Sequence, residues 1–191
     1  MTTTFDPAAT RVLVLDAAEA LFYARGIQNV GMDEVRSAAG VPLKRLYQLY
    51  ASKNDLVEAY LRRRDGRWLE SLAAFVEQRT DGQERVLAVF DWLCQWLAEP
   101  DFRGCAFVNA YGELGATTPS VAHAVDDHKT AFRHYLIGLT TAAGATAGLG
   151  EQLTLLAEGA MTTAAISGSV EPGRHARDAA RVLLAATWWE P

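Results

Sequence analysis

Between Gly26 and Leu56 the chain reads GIQNVGMDEVRSAAGVPLKRLYQLYASKNDL, and this stretch admits few folds. Its spacing predicts a short helix over Met32 to Ala38, opened by Asp33 and Glu34, whose charge suits the positive end of the helix dipole. Ala39-Gly40-Val41 is a turn, because Gly40 can take the left-handed conformation that stops a helix at little cost. Pro42 stands where a first-turn proline is tolerated, and a second short helix over Pro42 to Tyr47 carries Lys44 and Arg45. Ser52-Lys53-Asn54-Asp55 has the form of a capping box opening a longer helix. A helix, a glycine turn and a short basic helix make a helix-turn-helix, a motif that lays its second helix in a DNA major groove.

The side chains of that second helix divide by role. Lys44 and Arg45 can reach base edges, Arg pairing bidentately with guanine, and Leu43 suits a thymine methyl. The alternative for Lys44 and Arg45 is a solvated face. Leu46, Leu49 and Tyr50 belong to the core. A preceding helix is expected over Thr10 to Ala24, with Leu13, Ala17, Ala20, Leu21 and Ala24 on one face. Arg11 in its first turn either touches a phosphate or is solvated. Arg62-Arg63-Arg64 and Arg67 project in different directions, so they cannot line one phosphate row.

Gly26, Ala38-Ala39-Gly40-Val41, Leu46-Tyr47, Tyr50, Ser52-Lys53 and Leu56 resemble, in order and spacing, the DNA-binding domain of the TetR family of bacterial repressors. The resemblance spans roughly residues 10–60. It departs at Gly31 and Pro42, where the family usually has Ser or Thr, at Lys44-Arg45, where Gly-Thr is frequent, and at Gln48, where His or Tyr is common. These departures leave the fold intact but prevent an operator sequence from being borrowed. The resemblance implies that Tyr47, Gln48 and Lys53 position phosphates, the last near the start of its helix.

With 191 residues the chain can bury a full core in one or two small domains. Scarce proline and abundant alanine, leucine and arginine indicate an all-α fold; the resemblance implies about nine helices, a three-helix DNA-binding domain at 1–55 and an α-helical ligand-binding and dimerisation domain at 56–191. No uncharged apolar run reaches the ~18 residues of a membrane span, and MTTTFDPAATR lacks the build of a signal peptide. Two cysteines, Cys94 and Cys105, form no disulfide framework, so a reducing cytoplasm is the expected setting. The net charge of −5 is uneven: residues 1–67 carry a balance of +2 and residues 68–191 one of −7. Nucleic acid would therefore meet one end of the molecule.

The helix opened at Ser52 is expected to continue to about Gln78. Gln83 to Ala98 is apolar nearly all round and so should be central. Phe102 to Leu114 reads as a short apolar helix, Thr118 to Ala143 as a long one. A glycine-rich break over Gly144 to Gly150 precedes helices at about Glu151 to Ser169 and Arg174 to Trp188. The resemblance implies a small-molecule effector in this half. Trp92, Trp96, Phe107, Tyr111, Phe132 and Tyr135 would supply aromatic walls, with Asn109, Glu113 and Thr162 orienting the ligand. Aromatic stripes of this kind are also the ordinary content of a helical core.

Arg103-Gly104-Cys105 followed by Asn109 and Glu113 is similar to a stretch in TetR-family repressors that sense electrophiles through a cysteine. A neighbouring cation and a helix N-terminus favour the thiolate, whereas a cysteine in an apolar helix is also an ordinary core residue. His123, Asp127 and His128 fall at i, i+4, i+5, so that His123 and Asp127 could share a face and hold a metal. Without a third clear ligand they read as solvated surface or core hydrogen bonding, and no catalytic constellation, metal site or cofactor motif is recognised. Leu153, Leu156, Ala157, Ala160, Met161, Ala164 and Gly168, with Ala180, Leu183, Leu184 and Trp188, form a small-residue apolar face suited either to a homodimer interface or to internal packing. The expected function is a ligand-responsive regulator, a repressor that binds double-stranded DNA at a palindromic operator as a homodimer. The alternatives are redox or electrophile sensing through Cys105, and an all-α binding protein without specific DNA binding.

Overall fold

The computed structural model describes residues 6–186, which form helices α1 (Pro7–Arg25), α2 (Met32–Ala39), α3 (Leu43–Leu49), α4 (Lys53–Val76), α5 (Gly82–Leu97), α6 (Ala106–Leu114), α7 (Pro119–Ala142), α8 (Ala147–Ser167) and α9 (Glu171–Ala186). No strand occurs among the described residues, and no helix is long and apolar enough to cross a membrane. The chain is all-α.

Two compact units emerge. One comprises the chain up to Asp65 together with Ala106–Asp126; the other comprises Gly66–Cys105 and the chain from Asp127 onward. Residue 55, the boundary expected from sequence, lies inside α4, which contributes to both units. The first unit recruits α6 and the start of α7, a long-range association that local patterning does not announce.

In the first unit α1 starts three residues before the expected Thr10. Asp6 is its N-cap, accepting the Ala8 N–H at 2.9 Å, and Pro7 occupies the first helical position, where its missing donor costs nothing. The core joins Val14, Ala18 and Phe22 of α1 to Val35, Leu46, Leu56 and Tyr60, with Phe22 and Tyr60 in an edge-to-face pair at 5.9 Å. Arg63 reaches Asp16 and Glu19, and Arg64 reaches Glu19 and lies 4.2 Å above the Tyr23 ring. Most of the arginine run therefore pins α4 to α1.

In the second unit α5 is the central helix, burying Val86, Ala88, Val89, Phe90, Trp92, Leu93, Trp96 and Leu97. Trp68 of α4 sits edge-on to Trp92, Trp96, His128 and Phe132, with ring centroids 4.9 to 5.7 Å apart. His128 is thus a core residue. The expected glycine break ends early: Thr146 caps α8, and Gly148 and Gly150 lie within the helix. A Cβ on Gly150 would stand 2.7 Å from Ile137 Cα and 2.8 Å from Thr140 Oγ1, so glycine is there for the close approach of α7. Gly150→Ala is expected to cost about 1–3 kcal/mol through overpacking, read as a lower denaturant midpoint at unchanged slope.

Candidate functional site

The α2–α3 turn follows from its sequence. Gly40 is left-handed at φ 67°, and the Val41 N–H returns to Arg36 O at 3.0 Å, closing α2. Pro42 is the residue before α3, so this helix starts one residue later than expected and runs through Leu49. Leu46, wholly buried, fixes one face of α3 in the core and turns the opposite face outward. On that outer face Leu43 is 40% and Tyr47 47% exposed, and Lys44 and Gln48 are exposed beside them. Arg45 is half-buried and donates from one guanidinium nitrogen to Gln48 Oε1 at 2.8 Å. Gln48, assigned from resemblance to a phosphate, is thus also the residue that steadies Arg45.

Arg11 and Lys53 flank α3 differently. Arg11 is exposed, with its guanidinium carbon 5.7 Å from the centre of the Tyr50 ring. Burial pushes the Tyr50 phenol up in pKa, with the Arg11 charge acting the other way. Ser52 and Asp55 exchange hydrogen bonds of 2.9 and 3.2 Å, the expected capping box, and Lys53 opens α4. Partial burial pulls the Lys53 ammonium down, opposed by the Glu113 and Glu34 carboxylates of the same unit. Glu34 accepts from the Gly31 N–H at 2.9 Å and from Arg25 at 2.8 Å, bonds that lower its pKa. A carboxylate so depressed supports the unit above the ordinary glutamate range and loses that support as pH falls below it.

The residues expected to bind an effector fall in both units. Trp92, Trp96 and Phe132 are buried around Trp68, and the Trp92 indole N–H reaches Ser71 Oγ at 3.3 Å. Tyr135 is half-buried, and its hydroxyl is buried with no hydrogen-bond partner among the described residues. Burial raises its pKa, with Arg85 lowering and Glu77 raising it further. Thr162 is exposed. Phe107, Asn109, Tyr111 and Glu113 belong to the first unit: Phe107 is core, Tyr111 is 58% exposed, and Asn109 and Glu113 line a cavity of about 460 Å³ with Phe22, Tyr23 and Tyr60. The Glu113 carboxylate accepts the Ile27 N–H at 3.0 Å and the Gln28 N–H at 2.7 Å. Both carboxylate oxygens are thus engaged by backbone N–H groups of the segment that follows α1. Residues 102–105 precede α6, with Gly104 at φ 88°, so Cys105 stands just before that helix and not within it. Its thiol is buried, and Lys129 Nζ lies 3.3 Å from Sγ and 2.6 Å from Glu158.

The family model described as "Bacterial regulatory proteins, tetR family" matches residues 14–60, which contain α2, α3 and their turn. A TetR-family transcriptional regulator from Streptomyces coelicolor superposes with a TM-score of 0.86 at 28% identity, covering 94% of this chain and 96% of that one. The chain is similar to TetR-family regulators in its DNA-binding region and in its fold. The proteins so matched are described as bacterial transcriptional regulators. The HTH-type transcriptional activator FasR of Mycolicibacterium smegmatis is 32% identical over 111 residues, or 57% of this chain and 48% of the relative. The chain thus aligns with about half the length of that curated relative. Escherichia coli NemR in its reduced form shares the fold, with a TM-score of 0.80, 23% identity and coverage of 91% and 96% of the two chains.

Most of the face expected to pair with a second copy is buried within the single chain. Leu153, Ala157, Ala160, Met161, Ala164 and Leu184 are buried in the core of the second unit within a single chain. Leu156 is half-buried, Gly168 is the left-handed C-cap of α8, and Trp188 lies outside the described residues. The neighbouring stripe is the open one: Leu155 is 73%, Ile166 83% and Val182 68% exposed. Leu155, Leu156, Ala179, Val182 and Leu183 line a shallow groove of about 650 Å³ between α8 and α9.

Proposed function

We propose that the protein is an effector-responsive regulator that binds a palindromic operator as a homodimer. The outward face of α3, with Leu43, Lys44, Tyr47 and Gln48 exposed on a helix anchored by Leu46, carries this reading. Leu43, Lys44 and Arg45 read bases, while Arg11, Tyr47, Gln48 and Lys53 set the register on phosphates. The open α8–α9 stripe joins two copies, and the two-fold axis imposes the palindrome. A small, largely apolar effector binds the second unit, where the unpartnered Tyr135 hydroxyl offers it a polar contact. It acts by binding two states unequally, with a coupling of about 1–3 kcal/mol. The protein acts in the cytoplasm, and repression follows where the operator overlaps a promoter.

The test is to incubate the purified protein with sheared genomic DNA from its source organism at one stated salt concentration and to sequence what is retained. Fragments sharing a palindrome support the reading. Retention of random fragments that disappears with modest salt rejects it, because only charge is then being read. A reporter driven by the recovered sequence gives the sign of regulation.

A second reading rests on Lys129 beside Cys105: a thiol-reactive effector modifies Cys105. Lys129 Nζ lies 3.3 Å from the Cys105 sulfur, whereas burial and the Asp91 charge push the Cys94 thiol up. With N-ethylmaleimide in limiting amount, mass spectrometry should find Cys105 labelled about tenfold faster than Cys94 despite its deeper burial, and operator release should disappear in Cys105→Ser. Faster labelling at Cys94, or release that survives the substitution, rejects this reading.

A further inference from the structure

Gly26 ends α1 at φ 84°, and the chain passes through residues 27–31 before α2 begins. Such a junction presents backbone N–H groups with no helical carbonyl to accept them. Two of them, on Ile27 and Gln28, are taken by the separate oxygens of one carboxylate, Glu113 of α6. The bond is reciprocated, for Gln28 Nε2 donates to the Glu113 backbone carbonyl at 2.6 Å. Ile27 is buried, so its N–H has little access to water if the carboxylate leaves. Local capping elsewhere in this unit comes from residues two or three apart, as with Asp6 and Ala8, Ser52 and Asp55 or Gly31 and Glu34. Here the cap is supplied by a residue 86 positions away.

We infer that Glu113 is a positioning residue for DNA recognition: its carboxylate fixes the α1–α2 junction and thereby the angle at which α2 and α3 leave α1. This rests on the reading that α3 enters the major groove. The geometry is specific to a carboxylate. An amide in its place turns an NH2 toward one of the two N–H donors, and a shorter acid withdraws both oxygens. Gly26 leaves room for this arrangement, since a Cβ there would stand 3.3 Å from Glu113 Oε1. The cost of losing the clamp falls on orientation more than on folding, because the buried side chains of Val14, Phe22, Val35 and Leu46 are untouched.

The test compares the full-length protein with Glu113→Gln, Glu113→Asp and Gln28→Ala, using the palindromic duplex recovered from genomic DNA and a random duplex of equal length. Hydrogen exchange at Ile27 and Gln28 is followed in parallel. Glu113→Gln should speed exchange at both amides, lower the thermal midpoint by only a few degrees and weaken palindrome binding about tenfold or more, with random-duplex binding near wild type. Glu113→Asp should recover part of the affinity, and Gln28→Ala, which keeps the carboxylate, should lose less than Glu113→Gln. Amides exposed with palindrome affinity within twofold of wild type would overturn the inference. So would parallel loss of palindrome and random binding, the mark of a merely destabilised unit. If Glu113→Gln fails to fold, equal losses in Glu113→Asp and Gln28→Ala would overturn it. Absence of any palindrome preference in the wild type would count against the regulatory reading instead, while the exchange data would still report whether the clamp exists.

Discussion

Replacing Lys44 and Arg45 together by alanine is expected to weaken binding to the operator about 1,000-fold or more, with little change in thermal stability. Each base-edge contact is worth about 1–3 kcal/mol of discrimination, and a symmetric dimer removes each of them twice. Stability should hold because Leu46, not its charged neighbours, binds α3 to the core, and alanine is a better helix former than either residue replaced. The salt dependence separates base reading from charge. If the two side chains lay on phosphates, their removal would weaken random DNA as well and flatten the dependence of log K on log salt by about 0.9 for each phosphate no longer neutralised. If they read bases, random DNA is held nearly as before and the palindrome preference collapses. Titration of both duplexes at two salt concentrations distinguishes these outcomes. Unchanged operator affinity in the double variant would mean that the pair is a solvated face. Gln48→Ala should give a smaller loss than Arg45→Ala, since it removes a phosphate contact and the hydrogen bond that steadies the guanidinium but leaves the base-reading group in place.

What the sequence disclosed was whatever local chemistry decides. Gly40 and Pro42 terminate and restart helices by their own backbone preferences, and the α2–α3 turn lies where they put it. Asp81 opens α5 and accepts the Glu84 N–H, as an aspartate before a helix should. Where tertiary structure decides, the reading slipped. Gly150 looked like a helix breaker but serves close packing of α8 on Ile137, a reason visible only once α7 is in place. Gly104 did break the chain, which moved Cys105 out of α6. Glu113 stood on an apolar helix and looked like a ligand contact, yet its partners are two backbone N–H groups. Main-chain donors leave no trace in residue type, so no sequence signal pairs them with an acid so far away. Among the aromatics, periodicity found the apolar helices but not Trp68, the ring around which Trp92, Trp96 and Phe132 close.

The α8–α9 pair shows the same limit, and its consequence can be measured. Helix α8 is apolar on two stripes. The richer one, through Leu153, Ala157, Met161 and Ala164, is consumed by the core, and the sparser one, through Leu155 and Ile166, stays in solvent. Periodicity locates apolar faces; it does not say which one a single chain covers. Large aliphatic residues at this exposure, beside the small Gly159 and Ala179 that allow close helix approach, mark a surface that water covers poorly. Leu155→Glu with Val182→Glu is therefore expected to convert a dimer into a monomer at micromolar concentration, read by sedimentation velocity. Fold and circular dichroism should be kept, since both positions are open in the single chain. Bringing two copies together would then force like charges into an interface without partners, at a cost of several kcal/mol per buried charge. Palindrome affinity should fall by about 1,000-fold or more, because two half-sites must then be bound independently, whereas a single half-site should be held as weakly as before. The control is Leu153→Ala, which should lower stability by about 2–5 kcal/mol and leave the folded protein dimeric. A Leu155→Glu, Val182→Glu protein that stays dimeric and keeps the operator would place the two-fold contact on another surface. One that is monomeric yet keeps full palindrome affinity would mean that DNA itself assembles the pair.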